Sequence, residues 1–239
     1  MKNKIAGVIS ALLIALTVTA CGGESEGTPS AAESSRTAAQ ENRNSEGSAA
    51  QTAEKSGSES QTDTAKSGSK ILVAYFSRAD ENYNVGTVKI GNTQIIAEYI
   101  AAEVGADSFH IETVTPYPAN YKECCDVAKQ ELADKARPKI SGTVDLSQYD
   151  TVFLGYPIWW GDLPMAVYTF IERYDWSGKT VIPFNTHEGS GASGTYAKIA
   201  DAMPGAAVPD GIAIKGKSAQ EFSDKMRQSV RDWLDGLGF

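Results

Sequence analysis

The sequence predicts an α/β domain built on a five-stranded parallel sheet with helices on both faces. Three observations predict it. From residue 70 onward, short runs of β-branched and aromatic residues recur five times with little polar alternation, the pattern of strands buried on both faces. Each run is followed by a segment whose apolar residues fall at helical spacing, and strict alternation of the two patterns gives a parallel sheet sandwiched between helices. Finally, residues 22–69 hold almost no Leu, Ile, Val, Phe, Tyr or Trp, and every aromatic residue of the chain lies beyond them. That leaves one domain of about 170 residues, enough for a full core.

The elements follow in order. Residues 70–76 read as the first strand, and residues 92–104 as a helix with Ile95, Ile96, Tyr99, Ile100 and Val104 on one side. A second strand is predicted over 108–114 and a second helix over 119–135. Thr151-Val-Phe-Leu154 gives the third strand, and a helix starts at Pro164, whose ring suits a first turn. Residues 180–184 form the fourth strand, and the helix over 194–203 is stopped by Pro204-Gly205. Residues 211–215 form the fifth strand. One last helix over 219–237 spaces Phe222, Met226, Val230, Trp233 and Leu237 along a face. Such sheets bind ligands beyond the carboxyl ends of their strands, at the point where strand order reverses.

The amino terminus reads as a targeting segment covering residues 1–20. Lys2 and Lys4 precede an apolar stretch over 5–18, shorter than the about 20 residues of a membrane span. Val18-Thr19-Ala20-Cys21 then resembles the lipobox of bacterial lipoproteins, which implies a diacylated Cys21 as the new amino terminus and an extracytoplasmic protein held to a membrane by its lipid. A secretory signal without lipid is the alternative. Residues 21–69 follow as a Ser-, Glu- and Ala-rich tether, too poor in apolar groups to offset its chain entropy. About 48 residues of such chain reach on the order of 40 Å. The net charge of −8 leaves no basic face for nucleic acid. It suits either plain solubility or a basic redox partner. The other two cysteines, Cys124 and Cys125, are neighbours on the second helix, where a bond between them would be strained. Burial of at least one of them as a small apolar group is favoured over a redox pair.

Chemistry is expected in three loops. The first strand leads to Ser77-Arg78, a polar insert over 79–90, and Gly91-Asn92-Thr93 at a helix start. Two hydroxyls, an amide and free backbone N–H groups there suit a phosphate dianion, while ordinary helix capping is the plainer reading. No dinucleotide or Walker glycine pattern accompanies them. The third strand leads to Gly155-Tyr-Pro-Ile-Trp-Trp-Gly-Asp-Leu-Pro164, where paired indoles offer a planar ligand a stacking surface or pack on the sheet edge. The fourth strand leads to Asn185-Thr-His-Glu-Gly-Ser-Gly-Ala-Ser-Gly194, whose glycines permit close approach to a flat ring or simply make a flexible loop. No metal-ligand pattern is present.

Together these loops resemble the flavodoxin family, over about residues 70–239, with the Trp-Trp loop and the second glycine loop as the most specific part. The resemblance implies a flavodoxin-like three-layer sandwich with strand order 2-1-3-4-5, in the short-chain form because nothing long interrupts strand five, and bound FMN. It implies that Ser77, Arg78, Asn92 and Thr93 hold the phosphate. Pro157, Ile158, Trp159, Trp160 and Gly161 would line one side of the ring, with Gly161 tuning its redox states, and Thr186, His187, Gly189, Ser190 and Gly191 the other side. The insert over 79–90 departs from the simplest family pattern. Functionally the resemblance leads to an electron carrier serving a redox partner protein, with an FMN-dependent oxidoreductase reducing a quinone or another small molecule as the alternative. A binding domain that has lost its flavin is disfavoured by the intact loops.

Overall fold

The computed structural model describes residues 70–239. The targeting segment, Cys21 and the tether lie outside the described residues. In chain order the elements are β1 (Ile71–Tyr75), β2 (Asp80–Asn82), β3 (Gly86–Val88), α1 (Asn92–Val104), β4 (Asp107–His110), α2 (Tyr121–Asp134), β5 (Thr151–Pro157), α3 (Met165–Ile171), β6 (Thr180–His187), α4 (Thr195–Ala202), β7 (Ile212–Lys215), α5 (Gly216–Glu221) and α6 (Asp224–Leu237). Five strands pair in parallel in the order β4-β1-β5-β6-β7, which is 2-1-3-4-5 once the separate β2–β3 hairpin is set aside. The order reverses between β1 and β5. The predicted fold class is therefore observed.

The lack of alternation in the strands has its expected cause. Along β1, Leu72 and Ala74 enter one core while Val73 and Tyr75 enter the other, and Val152 and Phe153 of β5 divide in the same way. Ile96 and Ile100 of α1 with Val230 and Leu234 of α6 cover one face of the sheet. Val167 and Phe170 of α3 with Ile199 of α4 cover the other.

Five predicted elements need correction. The second strand stops at His110 because β1 offers no further partner: the last ladder bond is Ile111 N–H to the Tyr75 carbonyl at 2.7 Å. The third and fourth strands run on to Pro157 and His187, paired with each other through Pro157↔Thr186, so residues assigned to loops are strand ends. The last helix is two. Phe222 adopts φ 37°, and Ser223 then caps α6 by accepting the Met226 N–H. The insert over 79–90 is the antiparallel β2–β3 hairpin rather than a plain loop. No described helix is long and apolar enough to cross a membrane.

Candidate functional site

At the carboxyl ends of β1, β5 and β6 lies a cleft of about 490 Å³. Its walls come from Arg78, Asn82 and Tyr83 after β1, Asn92 at the start of α1, one face of α2, the chain from Pro157 to Trp160, and the end of β6 from Thr186 to Glu188. Tight packing at Gly91 shapes one end. A Cβ there would run into Ser77 Oγ and the Arg78 carbonyl, although its φ of −69° suits any residue, so the demand for glycine is steric. Ser77 Oγ accepts the Gln94 N–H at 3.0 Å. Since the α1 ladder opens with Ile95 N–H to the Gly91 carbonyl, the N–H groups of Asn92 and Thr93 precede it, at the positive end of the helix.

The other predicted phosphate residues are placed differently from one another. Thr93 Oγ1 is buried 2.8 Å from Thr186 Oγ1, tying α1 to β6. Asn92 lines the cleft while its Oδ1 accepts from Gln220 Nε2 at 2.9 Å. Arg78 also lines it, but its guanidinium donates to the carbonyls of Pro118, Ala119 and Glu81, each at 2.6 Å. Three carbonyls thus hold the charge that was expected to face an anion.

At the other end the two tryptophans part company. Trp159 is partly buried, edge-on to Phe76 at 5.3 Å and to Tyr117 at 5.0 Å between centroids. Trp160 is 53% exposed, its indole N–H bonded to the Cys125 carbonyl at 3.0 Å and its ring under the Lys129 ammonium. Trp159 and Asp162 exchange backbone hydrogen bonds at 2.9 and 3.0 Å, which makes Trp160-Gly161 a two-residue turn. Both residues have positive φ, 53° and 74°, as a type I′ turn requires. Glycine meets that at no cost and Trp160 does not, so this turn carries strain that its surroundings must hold. The Asp162 carboxylate helps: it accepts from the Leu163 N–H, the Tyr168 hydroxyl and Lys198 Nζ at 2.8, 2.9 and 2.6 Å.

His187 organises the second glycine loop. Its Nδ1 accepts N–H groups from Gly189 at 2.9 Å and Gly191 at 3.1 Å, so in the neutral ring the proton sits on Nε2. Burial lowers its pKa from the ordinary value, with Lys215 adding to the shift and Glu188 opposing it. Thr186 and His187 line the cleft, whereas Gly161, Gly189, Ser190 and Gly191 are not among its lining residues. Cys124 is buried in the floor and burial pushes its thiol up to about 11, so it stays protonated at neutral pH. Among the described residues both cysteines are free, and no group of three acidic, His or Cys side chains could hold a metal.

Sequence reasoning missed Tyr83, Tyr121 and Glu188. Tyr83 stacks on Tyr121 at 5.9 Å and both border the cleft; a single aromatic in a polar insert was the available signal. Glu188 stood unremarked between His187 and Gly189. One of its oxygens, Oε1, is buried without a hydrogen-bond partner.

Residues 70–235 match the flavodoxin family. This chain is a member of the flavodoxin family. Among solved structures, a protein assigned as a flavoprotein from Bacteroides eggerthii DSM 20697 is 32% identical over 64% of this chain and 95% of its own, with a TM-score of 0.52. A second, from Bacteroides uniformis ATCC 8492, is 30% identical over 65% of this chain and 97% of its own, with a TM-score of 0.53. A flavoprotein from Lactobacillus acidophilus NCFM, solved in complex with FMN, shares the fold at 19% identity, covering 65% of this chain and 99% of its own with a TM-score of 0.51. No curated protein matches the chain. Like other open parallel sheets, this flavodoxin-family domain places its cleft at the switch point between β1 and β5.

Proposed function

We propose that the domain binds FMN and passes electrons between redox partners, on the outer side of a membrane to which a lipid on Cys21 holds it. The observation that carries this reading is one cleft that joins a helix amino terminus, a tryptophan turn and the His187 edge at the switch point. The residues fit the cofactor: a helix start suits a phosphate, planar side chains suit a flat ring, and an unpaired carboxylate oxygen at the cleft edge marks a polar group left for a ligand to address. Bound there, FMN supplies reversible one- and two-electron transfer.

The chain's own residues supply the rest. Asn92 and the first N–H groups of α1 bind the phosphate, with Ser77 and Thr93 holding that helix start in place. Ile158, Trp159 and Trp160 form one wall, and Thr186 and His187 the other, with His187 Nε2–H as a donor toward the cleft. Gly189, Ser190 and Gly191 act through the loop that His187 Nδ1 gathers. Gly161 tunes the redox states through its peptide, whose rotation would cost the Asp162 N–H bond to Trp159, about 1 kcal/mol. A second reading, an oxidoreductase reducing a quinone-like molecule, is favoured by Tyr83 and Trp160, which leave 55% and 53% of their surface open beside the cleft.

Anaerobic reduction of the purified protein separates the two. A carrier shows two resolved one-electron potentials and no turnover with a nicotinamide and a quinone; steady turnover of that pair would replace the carrier reading with the oxidoreductase one. The anchor is tested by growing cells on a labelled fatty acid. Label should enter the parent and be absent from Cys21→Ser, and label retained by the variant would refute the assignment.

A further inference from the structure

We infer, resting on the FMN reading above, that Lys198 of α4 and Tyr168 of α3 clamp the Asp162 carboxylate, hold the Trp160-Gly161 turn rigid and so set the one-electron potentials of the flavin that this turn walls. Trp160 lines the cleft, whereas Asp162, Tyr168 and Lys198 stand behind it. They act on a bound ring only through the turn, which makes Lys198 and Tyr168 positioning residues.

The turn is held at its two ends and loose in its middle. On one side the Trp160 indole N–H donates to the Cys125 carbonyl of α2. On the other, Asp162 Oδ1 accepts from the Tyr168 hydroxyl at 2.9 Å and Oδ2 from Lys198 Nζ at 2.6 Å. Between these anchors the Gly161–Asp162 peptide is tied by the Asp162 N–H to the Trp159 carbonyl at 3.0 Å, and a Cβ on Gly161 would meet no atom within 4 Å. Space for that peptide to turn is therefore present. Turning it rotates Asp162 about its own N–Cα bond and swings its side chain. A carboxylate gripped from two helices resists the swing, so the grip determines how readily the peptide can adjust to a ring whose charge and protonation change.

The clamp is itself supported. The Asp162 side chain is only 15% exposed, so its ion pair is screened less than a surface pair. Arg137 lies over the Tyr168 ring at 5.1 Å and pairs with Glu172, which fixes the ring. Burial raises the pKa of the Tyr168 hydroxyl, and it remains a donor at neutral pH.

The sign of the effect separates a clamp from a plain charge. Deleting the Lys198 cation disfavours an added electron through space and would lower the flavin potential. Loosening the turn instead lets the peptide follow the reduced ring at less cost and raises the first one-electron potential. Tyr168→Phe removes a donor without changing charge, so it reports the second effect alone.

The test is potentiometric titration of the full-length protein with FMN bound. Lys198→Met and Tyr168→Phe should each favour the one-electron form by about three- to tenfold, which raises the first potential by about 30 to 60 mV. Lys198→Arg, which keeps the ion pair, should restore the parent value. In the flavin-free protein, hydrogen exchange of the Asp162 amide should speed up by a similar factor in Lys198→Met and Tyr168→Phe. A first potential that falls in Lys198→Met, one that does not move in Tyr168→Phe, or Asp162 exchange unchanged in both would overturn the inference. A parent that binds no FMN would instead overturn the FMN reading itself, while the exchange rates would still decide whether the clamp holds the turn.

Discussion

His187 shows how one side chain can hold a loop and make it sensitive to pH. Its Nδ1 accepts two backbone N–H groups, and a proton on that nitrogen would break both bonds. Its folded pKa lies below the ordinary 6.5, because burial disfavours the imidazolium. Between the depressed value and 6.5 the unfolded chain therefore binds more protons than the native one, so stability is complete above 6.5 and is lost as pH falls through that window. His187→Asn replaces Nδ1 by an amide oxygen that accepts the same N–H groups and does not titrate. Thermal melting between pH 7.5 and 5 should show a shallower decline for the variant than for the parent, and identical slopes would remove His187 as the titrating group. The sequence made His187 a candidate for the ring edge. It could not reveal which nitrogen the glycine loop would claim, because that depends on where the loop turns back.

At the scale of elements, the β2–β3 hairpin is held by Arg78 rather than by a core of its own. Its guanidinium ties the Glu81 carbonyl inside the hairpin to the Pro118 and Ala119 carbonyls outside it. Arg78→Ala should cost about 1 to 3 kcal/mol, the scale for hydrogen bonds to a charged donor. The loss should be local: hydrogen exchange should speed up in Asp80–Val88 while the amides of β1 and β5 keep their protection. Equal deprotection of hairpin and sheet would contradict the assignment. The hairpin was illegible in the sequence because Asp80–Asn82 and Gly86–Val88 are short and polar, without the apolar alternation that marks a strand. The long elements were legible because their periodicity is dictated by two cores: α1 spans Asn92–Val104 as its apolar spacing predicts. The end of β6 was read short because Asn185 and Thr186 are polar. Burial against Tyr196 and Thr93 through hydrogen bonds, rather than apolar character, keeps them in the sheet.

For the molecule as a whole, the parallel sheet followed from the alternation of strands and helices and its strand order from the family resemblance alone, and the sheet has that order. The cleft was legible in outline, since its loops follow β1, β5 and β6, the strands at and beside the switch point. Its far wall was not. Tyr121, Cys124 and Cys125 come from α2, whose approach to the cleft is fixed by tertiary packing and leaves no mark on the helix's own spacing. The same limit hid the phosphate end, where the sequence offered four candidates and only Asn92 and Arg78 border the cleft, the latter already committed to carbonyls. The central claim, an FMN site with its phosphate at the start of α1, is tested most directly by calorimetric titration of the flavin-free protein with FMN and with riboflavin. The account predicts one FMN per chain and riboflavin weaker by about 100-fold, since riboflavin forgoes the charged hydrogen bonds at that helix start. Equal affinity for the two would contradict it.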